Sequence, residues 1–158
     1  MTCQVMAVRA AAGHRRAMTS GPASLHRSVY LANATVLLAH QVDAAYWQEW
    51  RLFGLPGGVQ LFVLLNLPIL LAVLVGAERL GSPVGHRISG LLAASGVFAA
   101  VFHGGHLVAG DEAFRTPVSL LLLALTAVLS PLQLVLLRRT REAGDRVPAA
   151  PGAHSSTA

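Results

Sequence analysis

The chain has 158 residues, 54% of them hydrophobic and 12% charged, where an ordinary soluble domain carries about 25% charged residues. That balance excludes a conventional water-soluble enzyme and points to a single membrane-embedded domain. The formal charge of +5 is the excess of twelve basic residues, all arginine, over seven acids. The arginines lie at the edges of apolar blocks and in the tails, so membrane topology accounts for them and no nucleic-acid partner is implied.

In chain order, residues 1–27 hold four arginines, two histidines and no acid, and read as a disordered basic N-terminal tail. No apolar core with a small-residue cleavage site precedes Ser28, so a signal peptide is not expected. Cys3 stands alone, which rules out an intramolecular disulfide. The first expected span covers residues 28–46 and is the most polar, with Asn33, His40 and Asp43 inside it. Its end, Tyr46-Trp47-Gln48-Glu49-Trp50, gathers both tryptophans of the protein. Tyrosine and tryptophan favour the membrane–water interface, so Tyr46, Trp47 and Trp50 are expected to form an interfacial aromatic cap. Glu49 beside Arg51 reads as a solvated interfacial pair. Gly54-Leu55-Pro56-Gly57-Gly58 then breaks the helix and turns the chain back.

The second span, residues 59–77, is uncharged and carries Asn66 and a helix-bending Pro68. The third, residues 88–108, holds His103 and His106 together with Ser89, Gly90, Ala93, Ser95 and Gly96. Small residues let helices approach closely, so this helix is expected to be central. Asp111 and Glu112 read as solubilising loop residues. The fourth span covers residues 117–137, with Pro131 inside it, and residues 138–158 read as a disordered C-terminal tail. The expectation is an all-α, integral membrane four-helix bundle.

Ten arginines fall in the N-terminal segment, the second loop and the C-terminal tail; only Arg51 and Arg115 fall in the first and third loops. Arginine marks the cytoplasmic side, so both termini are expected to be cytoplasmic. Arginine without lysine, with many alanines, suggests a bacterial coding sequence, and hence the cytoplasmic (inner) membrane.

Ionisable residues within spans are costly and turn toward the bundle interior or a watery cavity. Residues three, four and seven apart share a helix face, so Asn33, Val36, His40, Asp43 and Trp47 form one inward stripe. Asp43 and His103 each lie 16 residues beyond an arginine at the inner boundary, Arg27 or Arg87, or about 24 Å along a helix. His40, His106 and Asn66 fall within about 4 Å of that depth by the same rise. His40 with Asp43, and His103 with His106, are i, i+3 pairs, a spacing that lets one helix chelate one ion. Three imidazoles and a carboxylate suit zinc; non-haem iron or manganese also fits such donors. His40, Asp43, His103 and His106 are therefore the candidate ligands, with Asn33 and Asn66 as supporting polar groups. A metal-free network in which His40 and Asp43 satisfy each other is the alternative.

The stretch from Leu38 to Leu71 resembles a family of small bacterial membrane proteins of unknown function. Members carry His-x-x-Asp-Ala-Ala-Tyr-Trp-x-Glu-Trp, then Leu-Pro-Gly-Gly and an apolar span with a polar residue before Leu-Pro. The matching positions are His40, Asp43, Tyr46, Trp47, Glu49, Trp50, Pro56, Gly57, Gly58, Asn66 and Pro68, and Gln41 stands where the motif has Glu. A looser likeness runs to membrane proteins with an HxxEE motif, where Asp43 matches the first acid and Ala44 departs at the second. Neither resemblance implies an established reaction.

Three functions compete: a metal-dependent membrane enzyme on a lipid-like substrate, a small subunit that packs in a homo-oligomer or larger membrane complex, and a proton path. The path ranks last because the inner half lacks charges to continue it.

Overall fold

The computed structural model describes residues 21–110 and 114–145. These form four α-helices and no strand: α1 Pro22–Tyr46, α2 Gly58–Glu78, α3 Pro83–Val108 and α4 Pro117–Asp145, with a 3₁₀ turn at Glu49–Arg51 between α1 and α2. The expected tails fall largely on residues 1–20 and 146–158, and Asp111 and Glu112 on residues 111–113, all outside the described residues. α1 begins before the apolar stretch and α4 runs past its own to Asp145.

Helix starts follow local chemistry. Pro22 and Pro83 stand at first helical positions, where a missing N–H and a fixed φ cost nothing. Ser82 caps α3 by accepting a hydrogen bond from the Gly85 amide at 3.2 Å, and Thr116 does the same for α4 through the Ser119 amide. α2 starts from Gly57 and Gly58, both at positive φ, which glycine adopts without steric cost.

α2, α3 and α4 are long and apolar enough to cross a bilayer. α1 is as long but more polar, and it turns that polarity inward: His26, Asn33 and His40, spaced by seven, are all buried. α4 packs along both α1 and α3, and α3, as its small-residue stripe implied, touches all three other helices. The reason lies in fit. Gly96 of α3 faces Ser130 of α4 so closely that a Cβ there would collide with the Ser130 hydroxyl. The small-residue face of α3 is thus used within the chain.

α2 is peripheral. Its buried residues are Val73 and Gly76, held by Tyr30 of α1, whose hydroxyl donates to the Val73 carbonyl at 2.7 Å. None of residues 58–72 is buried.

A ladder of buried side chains joins α1, α3 and α4. Asn33 donates to Gln133 at 2.8 Å and accepts from Ser130 at 3.0 Å. Gln133 donates to the carbonyl and hydroxyl of Ser89 at 2.9 and 3.0 Å. The Ser89 hydroxyl also meets His26 Nε2 at 2.9 Å. With no water in a bilayer core, such groups must satisfy one another.

Candidate functional site

After Tyr46 the helix ends, and Gln48 adopts a left-handed conformation with φ +55°, uncommon for a residue with a side chain. This reverses the chain and folds the Glu49–Arg51 turn back over the bundle. Glu49 therefore points down between the helices. It is 7% exposed, and its Oε1 lies 2.7 Å from His103 Nε2. The expected solvated pair with Arg51 does not form: Arg51 is exposed while Glu49 is buried.

His40 and His103, from α1 and α3, meet edge-to-face with ring centroids 5.0 Å apart, and both are buried. One ligand atom from each of His40, Glu49 and His103 lies within 4.8 Å of the other two. Ligands around tetrahedral zinc stand about 3.4 Å apart, from metal–ligand lengths near 2.1 Å. To reach that spacing, Glu49 and His103, now 2.7 Å apart, would move slightly apart, and His40 would stay within 4.8 Å of both or draw closer. A buried carboxylate requires a counter-charge; here it faces imidazole, so a proton on His103 or a metal ion can supply it. His103 Nδ1 is buried without a hydrogen-bond partner.

The backbone around this group is strained at two points, Gln48 and Phe114, both non-glycine residues at positive φ. The Phe114 ring packs on His103 at 4.5 Å and on Trp47 at 5.8 Å. Such strain persists only where the surroundings hold it, and it clusters at functional sites.

A cavity of about 280 Å³ opens beside the group, lined by His40, Glu49, His103 and Asn66. Otherwise its walls are mainly apolar, with Phe53 stacked on Phe102 at 5.1 Å and Phe98 beyond it. An apolar pocket with a few convergent polar groups is the usual form of a ligand site.

Of the expected ligands, His40 and His103 come together. Asp43 turns to α4, where its Oδ1 accepts from the Ser119 hydroxyl at 3.0 Å. That hydroxyl also contacts Thr116 at 2.7 Å and Trp47 Nε1 at 3.3 Å. Asp43 thus fastens α1 to the first turn of α4. His106 packs its ring on Phe102 at 4.7 Å, outside the three-residue group. Asn66 reaches the cavity wall and donates to the Phe62 carbonyl. Asn33 belongs to the buried ladder instead. Of the aromatic cap, Tyr46 is exposed, while Trp50 is buried against Phe62 at 5.6 Å.

Sequence reasoning passed over Glu49 and Gln133. Glu49 lies between two tryptophans, a position shielded from water once the chain turns back. Ser119, Thr126, Ser130 and Gln133 recur at helical spacing on one face of α4, and all are buried; that periodicity was the signal for its buried face.

No curated protein and no solved structure matches the chain. Residues 26–140, from His26 near the start of α1 to Thr140 near the end of α4, match a family model throughout. The chain is therefore a member of the family of unknown function DUF6713.

Proposed function

We propose that this protein is a multi-pass protein of the bacterial inner membrane, with both termini cytoplasmic, that binds zinc or non-haem iron through His40, Glu49 and His103. In this reading α1 is the fourth span, and the site lies in the outer half of the bilayer beneath the Trp47–Leu55 cap. The single observation that carries it is a buried carboxylate set against two imidazoles at the wall of an apolar cavity. Two imidazoles and one carboxylate form the donor set of hydrolytic zinc sites and of non-haem iron oxygenases. Both leave a position open for water or substrate.

The chemistry is a metal-dependent reaction on a lipid-like substrate. A bound metal would supply Lewis acidity and an activated water. His40, Glu49 and His103 hold it, Asn66 orients the substrate, and the apolar cavity excludes bulk water. Metal analysis of full-length protein, purified in detergent without chelators, tests this. Wild type should carry stoichiometric metal, and His103→Ala and Glu49→Gln should carry almost none. Metal-free wild type, or full loading in both variants, defeats the reading.

A metal-free subunit is the second reading, favoured by the 2.7 Å Glu49–His103 contact. That contact is already a satisfied pair if His103 carries the proton.

A further inference from the structure

α2 is buried against the bundle at one end and only half-buried at the other. Near Arg79 it is held by Tyr30, and a Cβ at Gly76 would run into the Tyr30 hydroxyl. From Gly58 to Ala72 no residue is fully buried, though Leu61, Phe62 and Asn66 are half-buried and Phe62 packs on Trp50. Toward the Trp47 end a cleft lies between α1 and α2. Two cavities occupy that cleft. The deeper one, about 280 Å³, reaches His40, Glu49 and His103. The other, about 300 Å³, lies toward the outer faces of α1 and α2 and is walled by Val42, Val63, Leu67 and Leu70. They adjoin across shared residues, among them Gln41 and Asn66.

These two carboxamides are out of place in an apolar wall at membrane depth, where polar groups are expensive without partners. Gln41 makes no side-chain hydrogen bond among the described residues. Asn66 spends one N–H on the Phe62 carbonyl at 2.9 Å, which leaves its second N–H as a donor. A purely hydrocarbon occupant would leave them unsatisfied. A lipid whose polar head passes between them would not.

We infer that the α1–α2 cleft admits a single acyl chain from the lipid side, and that Gln41 and Asn66 pass its carboxylate or ester carbonyl to the His40–Glu49–His103 group. Size sets the single chain: each cavity sits at or just below the lower limit for ligand pockets, about 300 Å³. The aromatic wall of Phe53, Phe98 and Phe102 offers apolar contact to a chain and no partner for a large polar head. This substrate assignment rests on the proposed metal site, but the cleft can be tested separately.

The probe is palmitic acid carrying a diazirine near its carboxyl group and a terminal alkyne, added to full-length protein in phosphatidylcholine nanodiscs. Cross-links should map to the segments around Gln41 and Asn66. Unlabelled palmitate or methyl palmitate should lower labelling at least about fivefold while hexadecane does not, which reports selection by the head rather than the chain. Gln41→Leu/Asn66→Leu should lower labelling to the same extent, and Leu71→Trp, on an exposed face of α2, should leave it unchanged. Equal competition by hexadecane, or undiminished labelling of the double variant, overturns the inference. Metal content of the same samples separates the two ideas. Full metal with no head-selective labelling removes the cleft alone, and head-selective labelling of protein that never binds metal removes the metal site alone.

Discussion

Two buried polar clusters occupy this bundle, and they are built differently. The Ser130–Asn33–Gln133–Ser89–His26 ladder is closed on itself: each member meets another at 2.8–3.0 Å, although its His26 end lines a separate cavity. The His40–Glu49–His103 group is open. It adjoins a cavity, has a buried imidazole nitrogen without a partner, and is held beneath two strained backbone positions. A closed network fixes helix register and can do little else. An open one, with a carboxylate and two imidazoles converging on a cavity, is equipped to take up a cation. Polar residues within spans are thus not all of one kind, and satisfaction rather than burial separates them.

The largest effect should come from breaking the frame that holds both clusters. Gly96→Leu places a side chain where Ser130 and Leu37 already stand, and overpacking of this kind costs about 3 kcal/mol. Thermal unfolding in detergent should show it, with metal content falling together with stability. Next is Gln133→Leu, which leaves the Asn33 amide N–H without its acceptor and removes both hydrogen bonds to Ser89, and should cost about 2 kcal/mol. Its metal content, measured on protein that remains folded, should match wild type; a loss there would join two clusters that the geometry keeps apart. The smallest effect is expected for Asp43→Asn. Asparagine keeps an oxygen to accept from Ser119, so stability should change by less than about 1 kcal/mol and metal content not at all. Metal loss in that variant would restore Asp43 as a ligand.

Much of this arrangement was legible in the sequence. Counting residues from Arg27 and Arg87 put His40 and His103 at one depth, because a helix rises by a fixed step. The inward stripe of α1 followed from spacing alone, and Asn33 and His40 are buried as it required. Glu49 was hidden because its direction depends on one left-handed residue, Gln48, with no glycine to advertise the turn. Asp43 shares the stripe with His40, yet a hydroxyl on α4 draws it aside, and which helix faces which is a tertiary fact. The buried face of α4 was written in its serines, threonine and glutamine, but small residues on α3 gave the more conspicuous pattern. Gly96 among them is small because Ser130 needs the room.

The central claim is that the open cluster binds a metal and the closed one does not. Cobalt(II) titration of purified full-length protein tests it most directly, because cobalt occupies zinc-type sites and reports their geometry in its visible absorption. The account predicts saturable low-symmetry bands in wild type that survive Gln133→Leu and vanish in Glu49→Gln. Bands that persist in Glu49→Gln, or no bands in wild type, would contradict it.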